Sequence, residues 1–166
     1  TLFERCLAAI VKPSVTGGPA NRLAAFRLGT GERNRCIGCV AVAVQGGKNS
    51  SGFHWPEQNR VRPRTPTEGL WTFEGCLAHD CIDGIFVWQN GTVVAHPILD
   101  FEAYNCVAGV EHGAYRNPYQ YEGAHINHCS SALTLHAEGI SPGLVFRDWQ
   151  VEAVGIPILL MKPTLD

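Results

Sequence analysis

Gly123-Ala-His-Ile-Asn-His-Cys-Ser130, with Leu133-Thr-Leu-His136, Val145-Phe-Arg-Asp148 and Gly155-Ile-Pro-Ile-Leu-Leu160 after it, decides how the chain is read. These are short apolar runs separated by polar turns, too brief for stable helices. Such runs, bounded by glycine, proline or asparagine, read as strands. Asn127-His128 then falls in a polar turn between strands. Two readings of that turn are open: a buried turn whose histidine is satisfied locally, or two side chains presented to a ligand.

The same texture extends upstream. Arg22 to Leu28, Ile37 to Val44, Ile85 to Gln89 and Thr92 to Ala95 read as strands. Asn90-Gly91 predicts a type I′ hairpin, because both residues tolerate positive φ. Leu2 to Ile10 reads as a short helix or a first strand, and Pro97 to Ala108 as holding the other short helix. The segment from Gly46 to Glu74, with Pro56, Pro63 and Pro66, reads as a long polar surface excursion. No internal repeat, heptad or low-complexity tract is read. The expectation is a single α+β domain over residues 1–166, β-dominated, with many short strands in small sheets.

Composition narrows the function. The chain has 166 residues, 45% hydrophobic and 17% charged, which suits a folded domain with a substantial core. Net charge is −2, and the one short basic run, Arg60-Val-Arg-Pro-Arg64, reads as a proline-bounded loop. No nucleic-acid partner is expected. No apolar run approaches the roughly 20 residues of a membrane span, and the opening residues show no leader pattern. The seven cysteines are an odd number at irregular spacing, which predicts reduced, mostly buried thiols in a cytoplasmic protein. The sequons Asn49-Ser-Ser51 and Asn90-Gly-Thr92 point weakly the other way.

In order and spacing, several of these motifs resemble the SET domain of protein lysine methyltransferases. At the N-terminal side the resemblance rests on Val11-Lys-Pro-Ser14, Gly17-Gly18, Leu23-Ala-Ala-Phe-Arg27 and Gly31-Glu32. At the C-terminal side it rests on Ile126-Asn127-His128, the run ending in Arg147-Asp148, and Gly155 to Leu160. The resemblance implies a pseudoknot fold and S-adenosylmethionine as cofactor. Gly17, Gly18, Arg22, Leu23, His125, Asn127 and His128 would contact that cofactor, and the substrate would be a small-molecule or peptide amine.

This chain departs from the family where chemistry is concerned. The family's Ser-Cys is reversed in Cys129-Ser130, and its Pro-Asn is replaced by Ala132-Leu133. The aligning tyrosine after the last strand is missing, since no tyrosine follows Tyr121. Tyr104 and Tyr121 are the candidates to supply a phenol in its place. A non-catalytic SET-like binding module is the alternative.

Other motifs point to other chemistries. Gly75-Cys-Leu-Ala-His-Asp-Cys81 resembles the catalytic helix of secreted phospholipases A2, but no glycine-rich calcium loop precedes it. Cys36-Ile-Gly-Cys39 has zinc-type spacing without a second pair, so no metal site is expected. His136-Ala-Glu138 lacks the downstream cysteines of a zinc deaminase. A thiol hydrolase would use Cys106 with His112, or Cys129 beside His128.

Overall fold

A nine-residue unit occurs six times in the chain. Its copies are Phe3–Val11, Cys36–Val44, Phe73–Cys81, Ile98–Cys106, Tyr121–Cys129 and Phe146–Val154. In the computed structural model, these copies lie directly above one another. The structure describes residues 2–13, 23–28, 34–55, 72–87, 96–113, 119–136 and 143–161.

The unit makes two sharp corners. Its third residue has positive φ in every copy: Arg5, Gly38, Gly75, Asp100, Gly123 and Asp148, at 48–71°. So does its eighth: Ile10, Ala43, Asp80, Asn105, His128 and Ala153, at 49–58°. A left-handed residue costs a non-glycine roughly 1–2 kcal/mol. It is held here because the N–H of every such residue from Arg5 through His128 bonds to the equivalent strand of the next copy, for example Arg5 to the Ile37 carbonyl at 2.9 Å.

Three sheets result. Sheet A stacks β1 (Leu2–Glu4), β4 (Arg35–Ile37), β7 (Thr72–Glu74), β10 (His96–Leu99), β13 (Tyr119–Glu122) and β16 (Val145–Arg147). Sheet B stacks β2 (Leu7–Ala9), β5 (Val40–Val42), β8 (Leu77–His79), β11 (Glu102–Tyr104), β14 (His125–Asn127) and β17 (Gln150–Glu152). Sheet C stacks β3 (Ala24–Arg27), β6 (Ser51–His54), β9 (Asp83–Val87), β12 (Ala108–His112), β15 (Ser131–His136) and β18 (Ile156–Met161). Each strand pairs, in parallel, with the strand three before and three after it. The architecture is a parallel β-helix of six rungs, about 4.8 Å apart.

Like residues fill the interior in columns. Phe26 stacks on Phe53 at 5.2 Å, and Phe53 meets Phe73 edge-on at 5.2 Å. Sheet B contributes Ala8, Ala41, Ala78 and Ala103, whose small side chains let sheet C approach closely. Gly52, Gly84 and Gly109 complete that approach. A Cβ on Gly84 would run into the Gly109 carbonyl, and one on Gly109 would lie 2.6 Å from Ile126 Cγ2.

This corrects the α+β expectation. Among the described residues there is no helix. Leu2 to Ile10 forms β1 and β2, and Pro97 to Ala108 contains most of β10 and all of β11. The expected pseudoknot is replaced by regular stacking, with Asn127-His128 at an ordinary corner after β14. The polar excursion from Gly46 to Glu74 contains β6, which is wholly buried, as well as β7. The Asn90-Gly91 hairpin lies outside the described residues, and β9 pairs with β6 and β12. A repeat is present after all. It is concealed by uneven spacing, since equivalent positions recur after 33, 37, 25, 23 and 25 residues.

Close approach at Gly84 should be sensitive to a single methyl. Gly84→Ala is expected to cost roughly 1–3 kcal/mol by overpacking. Gly75→Ala, with nothing within 4 Å but φ at +58°, should cost about 1 kcal/mol. Urea unfolding of both variants checks the ordering, and equal costs would contradict the packing account.

Candidate functional site

The side of sheet C turned away from the interior carries polar groups, and most of them are buried: Asp83, Ser131, Thr134 and His54 are at most 6% exposed. Alternation along its strands is interrupted between the glycine column and the next position, so Ser131 and Thr134 share that side. Their hydroxyls lie 3.1 Å apart. By register, Asp83 occupies the Ser131 column, while His54, Phe86 and Glu111 occupy the Thr134 column. His136 Nε2 and Glu111 Oε1 are 2.5 Å apart. Asp83, Glu111 and His136 thus place one ionisable group on each of three successive rungs.

Their environments differ. Asp83 is only 6% exposed. Burial pushes its carboxyl up to about 8, with smaller contributions from the negative charge of Glu111 and from Cys81. The Glu111 and His136 side chains keep 15% and 25% of their surface. A proton-bearing carboxyl therefore lies near a second carboxylate that is tied to an imidazole. That combination suits a paired acid and base.

A second polar surface runs along sheet B and its corner. His79 Nδ1 lies 2.7 Å from Asp80 Oδ2, and Asn105 Nδ2 donates to Asp80 Oδ1. The Tyr104 ring stacks on His79 at 5.0 Å and tilts against His128 at 5.3 Å. His128 Nδ1 and Asn127 Oδ1 are 2.5 Å apart. A groove of about 540 Å³ runs beside this ladder, lined by Asp80, Asn105, His128 and Ser130 among others. The ladder's polar groups largely engage one another, so sheet C is the stronger candidate.

The structure disperses the residues expected to hold S-adenosylmethionine. Gly17, Gly18 and Arg22 lie outside the described residues. Leu23, half-buried, donates its N–H to Ser50 Oγ at 3.2 Å in the first rung. His125, Asn127 and His128 belong to the fifth rung, four rungs or about 19 Å along the axis. The tyrosines do not meet either. Tyr104 is exposed on sheet B, whereas Tyr121 is buried inside sheet A.

The thiol pairings are separated too. Cys106 contacts Cys129 through its backbone N–H at 3.4 Å, and its thiol is raised by hydrogen bonding to Cys129 and Cys81 and by burial. Cys129 is buried while its neighbour His128 is exposed. The expectation of no metal site also meets a contrary observation: Cys36, Cys39 and Cys76 bring their sulfurs together.

Sequence reasoning missed Asp83, Glu111 and the His136 pairing, because they are 25 to 28 residues apart and no local motif joins them. The strand register was the signal that could have found them. No family model matches the chain, and no curated protein or solved structure resembles it significantly.

Inside the wall, His112 Nδ1 and the Tyr121 hydroxyl share a hydrogen bond of 2.8 Å. Burial, with a smaller effect of His136, lowers the imidazole to about 4, and burial holds the phenol well above its usual range. The folded state therefore binds the His112 proton less readily than the unfolded chain, whose value is near 6.5. Stability from this group is complete above pH 6.5 and is lost as pH falls toward 4, by about 3 kcal/mol. His112→Gln should flatten that acid limb, measured as the difference from wild type in urea midpoints at pH 7 and pH 4.5.

Proposed function

We propose that the outward side of sheet C is the active site of an acid–base hydrolase, and that its substrate is an extended glycan. The observation that carries the reading is the placement of a buried carboxyl, Asp83, one rung from the Glu111–His136 pair, where burial pushes it up to about 8. Hydrolysis of a glycosidic bond needs one carboxylic acid and one carboxylate flanking the bond.

The roles come from the two environments. Asp83 donates its proton to the departing glycosidic oxygen as the carbon–oxygen bond breaks. Glu111, held by His136, removes a proton from the attacking water as the new carbon–oxygen bond forms. By register the two Cα atoms are on the order of 10 Å apart, one rung and three residues. Ser131 and Thr134, buried and bonded to each other on the same side, support this arrangement from behind.

Asp83 also supplies a test that a structural role would not pass. Its folded pKa lies above its unfolded value of 3.8, so its proton adds stability at low pH. That contribution is lost as pH rises from about 4 toward 8, with a cost of up to about 6 kcal/mol. Asp83→Asn should therefore be more stable than wild type at pH 8, while losing at least about 100-fold in kcat. Release of reducing ends from a panel of glycans measures the second quantity, with Glu111→Gln expected to behave likewise in activity. Undiminished turnover in Asp83→Asn would refute the assignment. Inactivity on every glycan, together with micromolar calorimetric binding of S-adenosylmethionine, would favour methyl transfer instead.

A further inference from the structure

Two corner columns of the β-helix interior contain thiols. Cys81, Cys106 and Cys129 succeed one another at the corner after sheet B, each donating to a carbonyl of the preceding rung at 3.8–3.9 Å. They form a single file. The corner after sheet A is different: Cys39 and Cys76 stack there, and Cys36 enters from the inner column of sheet A. Cys36, Cys39 and Cys76 are at most 1% exposed, and their sulfurs all lie within 4.8 Å of one another.

We propose that Cys36, Cys39 and Cys76 bind a single zinc ion as thiolates, with Cys6 as the fourth ligand. Four sulfurs at about 2.3 Å from a tetrahedral zinc are about 3.8 Å from one another. Cys36 and Cys76 already stand at 3.8 Å. A disulfide would need them near 2.05 Å. Cys6 is half-buried one rung before Cys39 in the same corner column, close enough for its backbone and thiol to act on Cys39; its thiol donates to the Glu4 carbonyl at 3.4 Å and would turn from it to join the other three.

The chemistry of the corner agrees. The Cys39 backbone also hydrogen-bonds to the Cys76 thiol, so a donor faces the charge that the cluster would carry. On binding, each ligand thiol gives its proton to solvent, and no electron is transferred. The ion would join the first three rungs, where 33 and 37 residues separate equivalent positions. Long connections are where a clip removes the most chain entropy from the unfolded state. The inference is independent of the proposed hydrolase.

Cobalt(II) titration of the reduced, metal-free chain is the test, because thiolate-to-cobalt charge transfer reports sulfur ligation directly. One cobalt per chain, with an intense near-ultraviolet band displaced by zinc, is expected. The band should fall by about a quarter in Cys6→Ala, disappear in Cys76→Ala, and survive in Cys106→Ala. Circular dichroism of each variant shows whether it has folded. No charge-transfer band in the folded wild-type chain would overturn the proposal. So would a band that survives in folded Cys36→Ala and Cys76→Ala, or a Cys36–Cys76 disulfide found by mass in protein never exposed to oxidant. An undiminished band in Cys6→Ala would overturn the fourth ligand.

Discussion

The structure depends on two left-handed residues placed five apart in every rung. They turn the chain sharply on each side of a three-residue strand, and they do so at the same place six times. Glycine occupies three of the twelve positions. The other nine carry side chains in a conformation that is unfavourable for an isolated residue. Seven of the nine are held by the next rung, which accepts the N–H of the strained residue. Single rungs therefore have little reason to exist alone, and the corners become favourable as rungs accumulate.

Once the corners are fixed, side chains have few places to go. A position of the nine-residue unit faces inward or outward in every rung, and the rung spacing brings equivalent side chains into contact. This makes columns of like groups inexpensive: phenyl on phenyl, alanine beside alanine, thiol above thiol. It also explains why the Cys81, Cys106 and Cys129 thiols are poor nucleophile candidates. Each is enclosed at an inner corner, with a carbonyl to donate to and no imidazole bonded to it. The Cys36–Cys39–Cys76 group departs from single file, because one thiol comes from the strand and two from the corner.

The residues of the fold were legible, but their arrangement was not. Short strands bounded by turn residues were visible in the sequence, and Ile156 to Met161 became β18 with the bounds that its apolar run suggests. Strand partners carry no comparable local mark. Gly75-Cys-Leu-Ala-His-Asp-Cys81 and Gly123-Ala-His-Ile-Asn-His-Cys129 resemble the motifs of two unrelated enzyme families. In the structure they are the same seven positions of one repeat, two rungs apart. Their glycines and cysteines reflect corner geometry and inward packing, while their histidines lie on the outer side of sheet B or at its corner. Uneven connections and exchange among Phe, Cys, Ile and Tyr at the first position conceal the period. The site was harder still to see, since Asp83, Glu111 and His136 converge only through register.

The division between inside and outside also decides where chemistry can be placed. An inward column tolerates ionisable groups only when they stay neutral, as burial keeps His112 and Tyr121, which also share a hydrogen bond. Asp83 lies on the outward side and yet is nearly as buried, so its proton is retained by burial rather than by an internal partner. His112 resists protonation while Asp83 resists losing its proton, and their effects on stability oppose each other between about pH 4 and 6.5. The His112 effect accompanies a paired interior hydrogen bond and can be explained by packing alone. The Asp83 effect costs stability at neutral pH, and a plain amide would avoid that cost. A protonated carboxyl at such a position, one rung from the Glu111–His136 pair, is the group that the proposed acid–base chemistry would use.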